Sequence, residues 1–177
     1  MEPQLELAFG EQKALESRIE DVIEQHHARR YAAFSQSLSP GFPVVDEAGV
    51  AWASRFDSMW ALRGALWRAR TGGRESLWWL RGWIVTDFIR SCPDLVLVDD
   101  RDGLNYIRVL SASKQFAVAW SHYHEVASFE GVRVFSATEE SASIAPMIDA
   151  PRGKALNETY RCSNDGSLTD LGKRASR

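Results

Sequence analysis

The sequence predicts a single α+β domain in which three N-terminal helices precede a small, mainly antiparallel sheet. Apolar residues recur at helical spacing through the first half of the chain, and the period changes to alternation after Cys92-Pro93. The 177 residues are 45% hydrophobic, which suits one core and one domain. We therefore expect residues 11–137 to form that domain, flanked by an extended peptide at 1–10 and an irregular, partly disordered tail at 138–177.

The first helix is predicted from Glu11, after the short extended segment that ends at Gly10. Its apolar positions share one face: Leu15, Ile19, Val22, Ile23 and His26. Tyr31, Phe34 and Leu38 extend the same stripe, and the helix ends at Ser39-Pro40-Gly41, because proline cannot continue a helix.

Two further helices are predicted at 47–70 and 75–91, separated by Gly72-Gly73. In the second helix, five bulky residues fall within a narrow arc: Trp52, Phe56, Met59, Trp60 and Trp67. The third helix is apolar around most of its circumference. It is therefore predicted to be the most buried helix, with Trp78 and Trp79 in the core.

Strands are predicted after Pro93. Residues 95–98 and 104–110 form a hairpin across the acidic turn at 99–103. Residues 116–120 alternate as in a half-buried strand, although a helix over 115–126 remains an alternative. Residues 126–129 and 132–135 flank Glu130-Gly131, which predicts a second hairpin.

Charge and composition limit the functional classes. The net charge is −3, so no chain-wide basic field attracts duplex DNA or an anionic membrane. No apolar run is long enough to span a membrane, and the acidic, polar start is unlike a signal peptide. A cytoplasmic location is therefore expected, with Cys92 and Cys162 as reduced thiols and a disulfide between them as the alternative.

The N-terminal hexapeptide Gln4-Leu5-Glu6-Leu7-Ala8-Phe9 carries the sharpest motif. It resembles the short peptide, of the form Gln-Leu-x-Leu-x-Phe or Leu, by which bacterial replication and repair proteins dock on the sliding clamp. The resemblance covers six residues and implies that Gln4 makes polar contacts while Leu5, Leu7 and Phe9 enter an apolar pocket. Local packing of the same alternating residues is the competing interpretation.

A segment rich in Trp and Arg is the second functional candidate. Six of the seven Trp lie in residues 52–83, and residues 55–90 hold seven Arg against three acidic residues, a local balance of +4. Four residues are the predicted partner-binding set: Trp60, Arg63, Trp67 and Arg70. These arginines have three interpretations: internal pairing with a carboxylate or a Trp ring, a protein interface, or a surface that binds single-stranded nucleic acid.

Patterns for catalysis are weak. His122 and His124 would point to one face of a strand, and with Asp100 they suggest a metal-dependent hydrolase as an alternative function. A tight turn explains the acidic residues 99–102 more simply, and neither a phosphate-binding loop nor a nucleophile elbow is present. We therefore expect no metal and no cofactor.

The sequence thus favours a non-catalytic accessory protein of a bacterium or mobile element. It is expected to bind a protein or nucleoprotein complex of DNA metabolism or defence. The sliding clamp is one such partner, nucleic acid is another, and no membrane association is expected.

Overall fold

The computed structural model describes the backbone of residues 3–138, 160–162 and 168–170, and the side chains of residues 10–138. The helices are α1 (Pro3–Gln25), α2 (Val44–Ala48), α3 (Trp60–Arg70), α4 (Arg74–Ser91), α5 (Tyr106–Leu110) and α6 (Lys114–Trp120). The strands are β1 (Arg30–Phe34), β2 (Ala51–Trp52), β3 (Leu95–Asp99), β4 (Tyr123–Phe129), β5 (Val132–Ala137), β6 (Tyr160–Cys162) and β7 (Leu168–Asp170).

Five strands form a mixed sheet in the order β2-β1-β3-β5-β4. The pairs β2–β1 and β1–β3 are parallel, whereas β3–β5 and β5–β4 are antiparallel. All five residues of the central strand β3 are buried, as expected of a strand with both faces covered. The sheet therefore has a core on each side.

One face of the sheet packs against α3, α4, α5 and α6. Its centre is an aromatic cluster in which the Phe116 ring lies 5.0 Å from Phe88 and 6.1 Å from Phe34, between ring centroids. Val96 and Val98 of β3 supply the aliphatic floor. The ring of Trp120 stacks on that of Phe116 and closes the cluster.

The opposite face packs against α1 and α2. Leu15 and Ile19 of α1 are almost fully buried against Leu95 and Leu97, the alternate residues of β3. The two-residue period of the strand thus divides its side chains between the two cores. The sheet thus lies between two helical layers. The layer that contains α3 and α4 carries the candidate site described below.

The α+β class is confirmed, but the arrangement of elements differs from the predicted one. Parallel strands lie between the helices because α1 ends at Gln25, His27 adopts a left-handed backbone (φ 50°), and residues 30–34 then pair with β3. Tyr31 and Phe34 are therefore core residues of a strand, and the predicted extension of the first helical stripe is wrong. The stripe itself is confirmed from Leu15 to Ile23, whose side chains are buried.

The predicted second helix is divided. Gly49 adopts a left-handed backbone (φ 65°) that ends α2, and β2 and an irregular stretch separate it from α3. Trp52 consequently lies in β2, where its indole nitrogen donates to the Phe56 carbonyl at 2.9 Å. It does not share a helical arc with Trp60.

Two predicted strands are helices. Residues 106–110 form α5, begun by Asn105, whose side chain accepts from the Arg108 amide. Residues 114–120 form α6, so the helical alternative for 115–126 is correct as far as Trp120 and wrong for residues 123–126, which lie in β4. The hairpin across 99–103 is therefore wrong, because β3 pairs with β1 and β5.

The second hairpin and the third helix are confirmed. Glu130 and Gly131 both have positive φ, 50° and 76°, as a two-residue turn of the primed type requires. The third helix runs over Arg74–Ser91, within a residue of its predicted start.

The two ends of the chain depart from expectation where they are described. Helix α1 begins at Pro3, so residues 3–10 are helical and not extended. Of the tail predicted to be irregular, β6 and β7 form an antiparallel pair, and most of the remainder lies outside the described residues. The division into peptide, domain and tail remains a prediction.

Candidate binding surface

Helices α3 and α4 form a helical hairpin that carries most of the tryptophans. The two helices are joined at Gly72, whose φ of 108° few other residues adopt. Gly73 follows, and its amide donates to the Arg68 carbonyl at the end of α3. We call this unit, residues 60–91, the Trp hairpin.

The α3 stripe consists of Trp60, Arg63, Trp67 and Arg70. Trp60 and Trp67 are seven residues apart, hence almost one above the other on the helix, and they are 68% and 66% exposed. The buried residues Leu62 and Ala65 lie on the opposite side of α3. The sequence prediction that placed these tryptophans and arginines on one face is supported, and that face is turned to solvent.

A second set of exposed rings, the α4 cluster, consists of Trp78, Trp79 and Trp83. The Trp78 and Trp79 centroids are 4.7 Å apart in an edge-to-face arrangement, and those of Trp79 and Trp83 are 6.3 Å apart. All three side chains are between 39% and 51% exposed. The expectation that Trp78 and Trp79 belong to the core is therefore wrong.

The burial of α4 is one-sided because an apolar stripe on one side of the helix already faces the core. Ile84, Val85, Phe88 and Ile89 are the buried residues of this helix. Trp79 and Trp83 continue instead along a different line that reaches Thr86 and Arg90 at spacings of four, three and four. That polar continuation was the sequence signal of a surface face.

Arg55 fixes one edge of the α4 cluster. Its guanidinium donates to both carboxylate oxygens of Asp87, with nitrogen–oxygen distances of 2.7 to 3.0 Å, and lies 6.0 Å from the Trp83 ring centroid. The hydrogen bonds to Asp87 raise the pKa of Arg55. Trp83 is thus held beside a permanent cation before any partner arrives.

Arginines on the Trp hairpin differ from those elsewhere in their pairing. Within the described residues, no ion pair joins the hairpin's six arginines to a carboxylate, whereas five arginines elsewhere make such pairs: Arg18, Arg30, Arg55, Arg101 and Arg133. The hairpin has two acidic residues, and one of them, Asp87, is engaged by Arg55. Its surface is therefore cationic in a chain whose net charge is −3.

Arg63 anchors the α3 stripe to the sheet. Its guanidinium donates to the side-chain oxygen of Gln36 at 3.3 Å and to the backbone carbonyl of Asp102 at 2.9 Å. Both acceptors are uncharged, so these bonds orient the guanidinium without neutralising it. The Met59 amide, which donates to the Ser35 carbonyl at 2.6 Å, ties the start of α3 to the same region.

That region is the edge where the parallel strands β1 and β3 end. After β1 the chain continues to β2 on one side of this strand pair, and after β3 it continues to β4 and β5 on the other side. The point where the strand order reverses in this way is called a topological switch point, and it is the usual ligand site of open α/β sheets. Here side chains fill it. Asp99, 3% exposed, accepts from Ser35 at 2.7 Å and from two nitrogens of Arg101 at 2.8 Å.

The carboxylates of this edge are committed to internal bonds. Burial alone would raise the pKa of Asp99, but the hydrogen bonds from Arg101 and Ser35 outweigh it and the pKa lies below its ordinary value. Asp102 accepts from the Tyr106 hydroxyl and from the Leu104 amide. Every buried side-chain polar atom of the described residues has a hydrogen-bond partner. A fully satisfied network of this kind is rigid, and it therefore supports α3.

The metal hypothesis gains no geometric support. His124 is exposed in β4, His122 precedes that strand, and Asp100 pairs with Arg133 at 2.5 Å. Among the described residues, no three His, Cys, Asp or Glu side chains are grouped closely enough to hold a metal ion.

An acidic cleft of about 320 Å³ lies between α1 and α2, lined by Glu16, Glu20 and Glu47 among other residues. Partial burial and a hydrogen bond to Glu47 raise the pKa of Glu20.

Two further expectations concern location. Cys92 is disulfide-bonded, so the expectation of reduced thiols is wrong and the alternative is favoured. Disulfides are rare in the cytoplasm, which leaves the cytoplasmic location a proposal. In the part of the chain that the structure describes, no helix is long and apolar enough to cross a membrane.

The clamp-like peptide falls within α1. Its backbone is helical, and the side chains of Gln4, Leu5, Leu7 and Phe9 lie outside the described residues. The structure thus does not unite this peptide with the α3 stripe in one site.

Comparisons with known proteins do not place the chain in a family. No protein-family model matches it, and neither the curated proteins nor the solved structures include a significant match.

Proposed function

We propose that this chain is a non-catalytic binding protein that docks on a protein component of a DNA-metabolism or defence complex through its Trp hairpin. The observation that carries the proposal is the exposure of five tryptophans on a cationic helical hairpin. Trp and Arg are the residue types that most often dominate binding energy at protein interfaces. Contiguous exposed apolar patches rimmed by polar residues mark interaction sites on soluble domains.

The α4 cluster supplies the anchor in this proposal. Trp78, Trp79 and Trp83 contact one another, and Arg55 restrains the last of them, so little side-chain freedom remains to be lost on binding. The surrounding arginines favour a partner whose surface is acidic.

Quantitative affinity capture tests the docking proposal. Wild-type protein and the Trp79→Ala/Trp83→Ala variant are compared by mass spectrometry of co-purified proteins from the native host, with Val118→Ala as the control. Val118 is a 42% exposed apolar residue of α6, outside the hairpin. A partner retained by the wild type and by the control, and lost from the double variant, supports the proposal. Equal recovery with all three proteins contradicts it.

Clamp docking is a separate arm of the proposal. The motif at Gln4, Leu5, Leu7 and Phe9 supports it, and binding in an extended form would require the first turns of α1 to unwind. Purified sliding clamp is titrated with wild-type protein and with Leu7→Ala/Phe9→Ala. Loss of binding in the variant supports this arm, and binding that is equal or absent in both removes it.

A further inference from the structure

We propose that the α3 stripe binds single-stranded nucleic acid, with bases stacked on Trp60 and Trp67 and phosphates held by Arg63 and Arg70. The site is distinct from the α4 cluster, and the proposal does not depend on the docking proposal above. Either can fail while the other survives.

The order of residues along α3 carries the first step of the argument. Each tryptophan is followed three residues later by an arginine, as Trp60 by Arg63 and Trp67 by Arg70, so the pair of residue types repeats after seven. A seven-residue repeat returns to almost the same side of a helix and advances by about 10 Å. Aromatic rings and cations therefore alternate along one line.

Spacing of the rings distinguishes this stripe from the α4 cluster. The α4 rings contact one another and present a continuous apolar patch, whereas Trp60 and Trp67 are separated by two helical turns and are each about two-thirds exposed. An isolated, exposed ring leaves its face available for stacking. Stacking of bases on aromatic side chains tolerates any sequence, because every base has a π-face.

Charge supplies the second step. Helix α3 has three arginines and no acidic residue: Arg63, Arg68 and Arg70. Arg63 uses two of its five N–H donors, one on the side-chain oxygen of Gln36 and one on the backbone carbonyl of Asp102. Three donors therefore remain for a phosphate, and the guanidinium already has a defined orientation. The net charge of the whole chain is negative, so the residues outside the hairpin are acidic in sum. A DNA duplex, which needs a larger contact area than a single strand, would be repelled by that charge.

A fluorescence anisotropy titration of a labelled oligo(dT) 20-mer with the full chain tests the proposal. Neutralisation of two phosphates, by Arg63 and Arg70, predicts a logarithmic salt slope near −1.4, so affinity should fall about sevenfold between 50 and 200 mM salt. Trp60→Ala and Trp67→Ala should each weaken binding about fivefold or more, and Arg70→Gln should reduce the salt slope by about 0.7. Intrinsic tryptophan fluorescence should be quenched in parallel.

Control variants separate this site from the docking site. Trp79→Ala/Trp83→Ala and Val118→Ala should bind oligo(dT) as the wild type does. Absence of binding at 50 mM salt, or binding that ignores Trp60→Ala and Trp67→Ala, overturns the proposal. Equal affinity for duplex DNA overturns base stacking. Titration of an oligo(rU) 20-mer distinguishes the two sources of a single strand, because the tighter of the two complexes identifies DNA or RNA as the ligand.

Discussion

Asp99→Asn should destabilise the protein, and the loss should disappear in acid. The Asp99 carboxylate is 3% exposed and accepts from Ser35, from two side-chain nitrogens of Arg101 and from the Arg101 amide. An amide keeps the shape but can accept on one atom only, so charged hydrogen bonds worth about 1.5–3 kcal/mol each are lost or weakened. Because the Arg101 side chain is 40% exposed, solvent screening places the expected total near 2 kcal/mol.

The sign of the pH dependence follows from the lowered pKa of Asp99. Its folded-state pKa lies below the unfolded value of about 3.9, so the stabilisation is fully present above that value and is lost as the pH falls through the folded-state pKa. Wild type and variant should therefore differ at pH 7 and converge in acid.

Urea denaturation at pH 7, 5 and 3 measures this difference as a change in midpoint at constant slope. Asp100→Asn is the matched control, since the Asp100 side chain is 41% exposed and its pair with Arg133 should contribute less than about 1 kcal/mol. A loss for Asp99→Asn no larger than that of Asp100→Asn, or one independent of pH, would refute the reasoning.

Core and surface aromatic residues should respond differently, and two glycines should separate backbone strain from crowding. Phe116→Ala, at a fully buried ring, should cost about 3–5 kcal/mol in denaturation, whereas Trp67→Ala should cost about 1 kcal/mol or less; similar losses would contradict the assignment of surface and core. Gly131→Ala should cost about 1–3 kcal/mol and more than Gly49→Ala by the same measurement. Both have positive φ, but only at Gly131 would a Cβ lie 2.7 Å from the Arg101 side chain; an equal loss would show that crowding is unimportant.

Local patterns predicted those elements whose neighbours in the chain determine them. The Leu15–Ile23 stripe, the helix at 75–91 and the turn at Glu130-Gly131 each depend on spacing or turn chemistry within a few residues. By contrast, Arg30–Phe34 is a strand because Leu95–Val98 pairs with it from 60 or more residues away. No local pattern records that pairing.

The candidate site was predictable in part. Spacing alone placed Trp60, Arg63, Trp67 and Arg70 on one face, and this holds because α3 is a regular helix through all four. Their exposure was not predictable, since it depends on which side of α3 meets the sheet. Trp78 and Trp79 were assigned to the core because a count of apolar residues ignores how much of the helix the sheet can cover.

Fluorine NMR of protein labelled with 5-fluorotryptophan tests most directly whether the Trp hairpin faces solvent. The chain has seven tryptophans, so seven resonances are expected, assigned by single Trp→Phe variants. Exchange from H₂O to D₂O should shift five of them strongly, namely Trp60, Trp67, Trp78, Trp79 and Trp83, while the half-buried Trp52 and Trp120 shift least. Absence of a solvent shift at the α3 and α4 tryptophans would contradict the account, because both proposed binding surfaces require these rings in water.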